Sequence, residues 1–320
     1  MARAQGARAQ MALGFESTYG TPPAAGKFWK VPFASQNHGS EQPLLSSELL
    51  GYGRDPLPPV KDAITANGDI VVPIDDRFFG IWLKAVFGAP TTTNDGAGVY
   101  THEFQSGGWT IPSFSTEVGM PEVPYYSMVK GCVANSLNFT MNRSGLITAT
   151  VNVVAQGEVV ATASAAGTLA EMALLRFGAF NGAVKRNGTL LGNVTSAELT
   201  YTNNLDSIET IRDDGMIDGA DPSVAALTGT INVRFADTTL IDQATDGDSC
   251  ELEFSYGTDA SHSFTLTAHA VYLPKPKLSL EGPGGVQASF EWQAAKDMSS
   301  GGTGRMCTAT LINDVTTYTL

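Results

Sequence analysis

Residues that carry chemistry are thinly spread in this chain. Its 320 residues hold four histidines (His38, His102, His262 and His269) at wide intervals, and three cysteines (Cys132, Cys250 and Cys307) with no CxxC pair. An odd cysteine count at such spacing supports neither a disulfide framework nor a zinc site, and a reducing compartment is the simpler reading. His262 and His269 are seven apart, which on one strand puts them on opposite faces. GxSxG, Walker, dinucleotide-binding glycine and HExxH patterns are missing. The stretch Asp213–Asp221 has the look of a cation loop, but it fails the EF-hand spacing and lacks the bidentate Glu. No segment approaches the roughly 20 apolar residues that span a bilayer. Met11–Phe15 is too short an apolar run for a secretion signal, so a soluble protein made in a cytoplasm is expected.

Charge is scarce too, at 16% of residues, and its sign is uneven. The net charge is −13. Residues 1–160 carry 10 basic and 13 acidic side chains, and residues 161–320 carry 9 and 19. Most of the excess lies between Asp206 and Asp259, where thirteen acids face Arg212 and Arg234. A surface of that sign repels duplex DNA, which carries one negative charge per about 1.7 Å of axis. Basic clusters with interleaved aromatics are absent, which argues against sequence-reading of nucleic acid. The acidic excess also serves solubility alone.

What the chain does have is glycine (34 residues) with many Thr, Ser, Val and Asn, a composition of strands and turns. The cleanest period lies in 133–154. Val133, Leu137, Phe139 and Met141 point one way, and Ala134, Ser136, Asn138 and Thr140 the other. After the turn Asn142–Gly145, Ile147, Ala149, Val151 and Val153 share a face opposite Thr148, Thr150 and Asn152. A Thr/Asn/Ser face is unlike a charged solvent face and suits water in a channel or the polar face of a neighbour. A helix is predicted after the cap pair Asp75-Asp76, burying Phe79, Trp82, Leu83 and Val86 and stopping at Gly88 and Pro90.

This order of elements occurs twice. The first copy runs from an apolar strand (Gly68–Ile74) through the helix Phe78–Phe87 to the hairpin Leu137–Met141 and Ile147–Val153. The second opens with Gly229–Phe235, continues through a helix at Thr238–Ala244 capped by Asp237, and closes with a hairpin of Lys277–Leu280 and Val286–Trp292. There Val286, Ala288, Phe290 and Trp292 face inward, and Gln287, Ser289 and Glu291 outward. Identities between the copies are few, so the match rests on order and pattern. Residues 1–27 read as an extended arm, residues 31–67 as a long Pro/Gly/Ser-rich loop with short strands. The weakly patterned stretch 155–175 marks the boundary between the copies.

Gly14-Phe-Glu-Ser-Thr-Tyr-Gly-Thr21 followed by Phe28-Trp-Lys-Val-Pro-Phe33 resembles the start of major tail tube proteins of long, non-contractile-tailed (siphovirus-type) bacteriophages. Pro43–Arg54, Gly68–Pro73, Phe79–Leu83 and Gly131–Phe139 are similar to the same family. The resemblance covers most of residues 11–160 and, more faintly, the remainder. None of these motifs carries chemistry, and their order and spacing give them weight together.

The resemblance implies a mainly β chain of two tandem tail-tube-type β-sandwich or barrel domains, 28–160 and 161–320, each with one short flanking helix. An extended N-terminal arm, 1–27, precedes them. It implies a structural subunit and no enzyme, with no cofactor. Closed rings of this chain would stack into a hollow conduit, bridged by arms and long loops. Implied partners are further copies of itself, a tape-measure protein, tail terminator and distal tail proteins, and double-stranded DNA in transient passage, with no membrane anchoring. The location implied is the virion tail after synthesis in the host bacterial cytoplasm. Two tube-like domains per chain favour a trimeric, pseudo-sixfold ring over a hexameric one. Candidate lumen-facing or inter-subunit residues are Asn138, Thr140, Thr148, Thr150, Asn152, Gln287, Ser289 and Glu291. Competing classes are another shell component, such as a capsid-decoration or pilus-like subunit, and a carbohydrate-binding β-sandwich.

Overall fold

The computed structural model describes residues 3–277 and 285–320, so the expected strand Lys277–Leu280 lies, beyond Lys277, outside the described residues. Strands β1 (Gln10–Phe15), β2 (Trp29–Val31), β3 (Ser35–Gln36), β4 (Gly39–Glu41), β5 (Leu44–Leu45), β6 (Val60–Lys61) and β7 (Thr65–Pro73) lead into helix α1 (Phe79–Phe87). Strands β8 (Thr91–Gly96), β9 (Val99–Gln105), β10 (Phe114–Met120), β11 (Tyr125–Asn142), β12 (Thr148–Ala155) and β13 (Gly157–Ala161) follow. Strands β14 (Gly182–Arg186), β15 (Thr189–Leu190), β16 (Val194–Thr202), β17 (Asp206–Ile208), β18 (Gly219–Asp221) and β19 (Ala226–Arg234) precede α2 (Thr239–Asp246). The chain closes with β20 (Cys250–Asp259), β21 (His262–Tyr272), β22 (Gln287–Ala295) and β23 (Cys307–Asn313). The fold is mainly β, and every pairing between these strands is antiparallel.

Three runs of paired strands build it. One is β7–β12–β11–β16–β19–β22. A second is β2–β1–β10–β11–β13. The third is β15–β14–β20–β21–β23–β9–β8. The 18-residue β11 belongs to two runs, its first half to the second and its last half to the first. The neighbour order β2–β1–β10–β11–β13 recurs as β15–β14–β20–β21–β23, and β7–β12 recurs as β19–β22. Each half places its helix directly after the matching strand, α1 after β7 and α2 after β19. Gly68, Ile70 and Val72 in β7 hold the places that Gly229, Ile231 and Val233 hold in β19. The β8–β9 hairpin has no counterpart, because only Gly247–Ser249 separate α2 from β20.

Three expectations need correction. Residues 10–15 are not part of a free arm: β1 lies between β10 and β2 with Met11, Ala12 and Leu13 buried. Four successive apolar or small residues from Met11 to Gly14 satisfy a strand buried on both faces, which needs no alternation. Second, α1 buries more than the one face expected of it. Every residue of it except Lys84 is buried, with Phe79 edge-on to Phe264 at 5.0 Å. Burying Phe79, Ile81, Trp82, Leu83, Val86 and Phe87 contributes on the order of 10 kcal/mol before entropy is counted. Third, Ala134 does not share the polar face. A bulge between Ala134 and Ser136 lets both Val133 and Ala134 be buried, and the alternation expected for the outer strand face starts only at Ser136. Residue 161, the expected boundary, is the end of β13. Two pairings cross it, β11 with β16 and β9 with β23, and one core cluster spans both sides.

Gly80 is glycine for a steric reason. A Cβ there would overlap the Tyr318 ring, whose hydroxyl accepts a hydrogen bond from Asn313 Nδ2 at 2.7 Å. Ala is worth about 1 kcal/mol more than Gly in a helix interior, whereas overpacking costs about 1–3 kcal/mol. Gly80→Ala is therefore expected to lower the thermal midpoint, and a raised midpoint would refute this packing account.

His38 is buried, with Nε2 2.6 Å from Thr116 Oγ1, and burial pushes its pKa down to about 4. A depressed histidine leaves stability intact above pH 6.5 and removes it as pH falls from there through about 4, because the unfolded chain protonates first. The full effect is about 3 kcal/mol. Asp75, raised by burial to about 6, works in the opposite direction over part of that range. His38→Gln leaves Asp75 in place, so urea midpoints of wild type minus variant should fall between pH 6.5 and 4. A flat difference would contradict the assignment.

Candidate assembly surfaces

The six-stranded run β7–β12–β11–β16–β19–β22 has one face in the core and one facing out. Inward, Ile70, Val72, Ala149, Val151, Leu137, Phe139, Leu199, Tyr201, Ile231, Val233 and Phe290 are buried. Outward, the register lines up polar residues across strand after strand. One row reads Val71, Thr150, Asn138, Thr200, Thr228, Gln293. The next reads Asp69, Asn152, Ser136, Thr202. Two more read Thr140, Glu198, Thr230, Glu291 and Asn142, Ser196, Asn232, Ser289. Thr148 lies opposite Pro73 and Gln287 opposite Arg234. At about 4.8 Å per strand the face is about 24 Å across.

All eight residues expected at a lumen or subunit interface therefore share one face of one sheet, although the sequence placed them in separate copies. Side-chain hydrogen bonds tie the strands along it. Asn138 Nδ2 donates to Thr200 Oγ1 at 2.7 Å, Asn152 Nδ2 to Asp69 Oδ1 at 2.8 Å, and Asn232 Nδ2 to Ser196 Oγ at 3.0 Å. The charged groups in these rows are Asp69, Glu198 and Glu291, with Arg234 beside them. Sequence reasoning missed the contribution of β16 and the outward residues of β19. The signal was present in Ala197, Leu199 and Tyr201, which alternate with Glu198, Thr200 and Thr202.

The acid-rich stretch lies largely off this face. Arg212 donates to both carboxylate oxygens of Asp214, at 2.9 and 2.8 Å, and to Asp218 at 2.7 Å, so the loop at 213–221 is organised around a guanidinium. That pairing holds the Asp214 carboxyl well below the usual carboxylate range. Among the described residues no three His, Cys, Asp or Glu groups gather as a metal site. The four histidines have separate partners: Thr116 for His38, Thr92 and the Val315 carbonyl for His102, Asp76 for His262 and Thr308 for His269. The three thiols are buried, and burial pushes Cys307 up to about 12. No helix among the described residues is long and apolar enough to cross a membrane.

A second surface projects from the first half. Residues 42–63 form an excursion whose paired part is two residues on each side, β5 with β6. It exposes Leu44, Leu45, Leu49, Leu50, Tyr52 and Val60, with Leu50 94% exposed. A two-stranded ribbon this short is marginal alone, and six large apolar side chains in water mark an association surface.

No curated protein matches this chain. A family model described as phage tail tube protein matches residues 6–294, a span that takes in β1, both helices and the whole six-stranded polar face. The chain belongs to the phage tail tube protein family.

Proposed function

We propose that this tail tube protein forms closed rings that stack into a hollow conduit, with the outward face of the β7–β12–β11–β16–β19–β22 run lining the channel. The observation that carries this reading is that face, about 24 Å of hydroxyl and amide side chains with three acids and one arginine. A free solvent surface would carry more charge and a buried one more carbon. Three copies would bring roughly eighteen such strands together, the size at which barrels leave an open aqueous channel.

The recurring strand order supports one tube unit present twice in the chain, and hence a trimeric ring of pseudo-sixfold symmetry. The tape-measure protein and then duplex DNA would pass through it, and terminator and distal tail proteins would close its ends. The apolar excursion 42–63 is the segment suited to bridge successive rings. Neutralising six phosphates already creates strong, salt-dependent binding, so a wall that offers one arginine lets DNA pass. The role is structural, and catalysis forms no part of it.

Class averages of the assembled protein should show three chains per ring, and six would refute the trimer. Replacing residues 43–62 with a short Gly-Ser turn should leave rings but shorten tubes severely, and tubes of normal length would remove the bridging role. Assembled tubes should not retain duplex DNA at physiological salt. Retention, or a net positive channel wall, would sink the lining assignment.

A further inference from the structure

The junction between the two halves of one chain describes a junction that the chain itself leaves open. Within the chain, one side of the first-half helix and the turn before it holds the segment after β23. Arg77 donates to both carboxylate oxygens of Asp314, at 2.7 and 2.6 Å. Gly80 leaves room for the Tyr318 ring, and Lys84 Nζ donates to the Tyr318 carbonyl at 2.7 Å. Asp76 meets His262 Nδ1 at 2.8 Å, and β9 pairs along β23. The helix side belongs to the first half and the strand side to the second.

In the recurring order α1 corresponds to α2 and β23 to β13. The places of Arg77, Gly80 and Lys84 are then taken by Thr238, Ile241 and Thr245, three positions on one side of α2. Thr238 and Thr245 are exposed and Ile241 is half-buried. On the strand side, β13 pairs with β11 alone among the described strands, and Val159 and Val160 stand 53% and 52% exposed. An edge with two exposed β-branched apolar residues is a template for association. The segment after β13 does not cover it. Ser164 Oγ and Ala165 N donate to the Glu117 carboxylate, and Ala166 packs with Phe28. No hairpin leaves α2 to do what β9 does for β23.

We propose that the Thr238–Ile241–Thr245 side of α2 in one copy docks on the β13 edge of a second copy, a contact between chains at the place where, inside one chain, α1 and β9 meet β23 and the segment after it. The inference rests on the ring reading above and names the contact that closes it. Such a contact is head-to-tail, the kind that yields rings. Charge permits it: α2 brings Asp237, Asp242 and Asp246, while the acid of β13, Glu158, is engaged by Ser40 and Ser127.

Val160→Glu sets a carboxylate against those acids, and Thr245→Glu sets one against the apolar Val159–Val160 edge. Both sites are exposed, and an unchanged thermal midpoint checks that each variant folds. Each alone should need at least a tenfold higher concentration to form rings, read by light scattering and negative-stain microscopy. Mixed one to one, they should give dimers that grow no further, because the Val160→Glu chain keeps a sound α2, the Thr245→Glu chain keeps a sound β13, and the two altered surfaces repel each other. Rings from wild type and from both variants at equal concentration would overturn this contact and leave the tube reading standing, as would a mixture that stays monomeric. Wild-type chains that remain monomeric at every concentration would overturn both.

Discussion

Between Ser136 and Asn142 the last residues of β11 pair with Thr202 back to Ser196 of β16, and this seam is where the two halves become one sheet. Without it β12–β7 and β19–β22 would be separate narrow sheets with open inner edges, which invite wrong partners. With it, the backbone groups of both edges are satisfied and the polar side chains of six strands fall into register. Asn203, at the end of β16, reinforces the seam. Its buried Nδ2 donates to Ala134 O at 2.9 Å and to Val86 O at 3.0 Å, so one amide closes a strand carbonyl and a helix-end carbonyl from the other half. A buried amide so placed is costly to leave unpaired, which fixes one arrangement of the halves.

The helix α1 depends on that arrangement, since it lies among residues of both halves and has almost no face left for water. Its entry is unusual electrostatically. Asp75 accepts from the backbone N–H groups of Arg77 and Phe78, yet burial raises its pKa to about 6, and Asp76 is raised as well by burial. Carboxyl groups with raised folded pKa values favour the folded state more as pH falls through them. This contribution is lost, not gained, on going from mild acid to neutral pH. The neighbouring Arg77–Asp314 pair and the Asp76–His262 contact anchor the turn to the second half, and Arg77 also donates to the Ala173 carbonyl at 2.9 Å, so charge is concentrated where the helix meets residues 173–175 and the segment after the last strand.

Much of the fold was legible in the sequence because its signals are local. The alternation in 147–153 gave β12 with the correct inward residues, and Asp75, Gly88 and Pro90 bounded α1 closely. The polar faces around Asn138 and Ser289 were readable from period two alone. What was not legible depends on partners distant in the chain. Met11–Phe15 looks like part of a loose arm until β10 and β2 flank it. An all-apolar helix face in a sequence does not say whether its other side is covered, and α1 is covered by Tyr318 and Phe104-side packing that begins more than fifteen residues away. The bulge at Asn135 breaks the period without any Gly or Pro to announce it. That Asn138 and Ser289 lie on the same surface follows only from the β11–β16 seam, which no single-segment pattern encodes.

Charge and polarity are separated on this molecule, and that separation bears on the proposed conduit. A chain of net charge −13 can line a channel with acid, yet the acids cluster around the Arg212 loop and α2, and Lys185 neutralises Glu253 at 2.6 Å. The six-stranded face keeps three acids and one arginine among rows of Thr, Ser, Asn and Gln. Hydroxyls and amides bind water about as well as they bind one another, so such a wall holds a hydration layer without a strong field of either sign. Dense acid would add repulsion that every passing phosphate must overcome, and in a narrow channel with low-dielectric walls that repulsion is focused. Basic residues would trap the polyanion. On the proposed reading, a weakly acidic, hydrogen-bonded wall would keep both costs low, while most of the molecule's charge sits elsewhere.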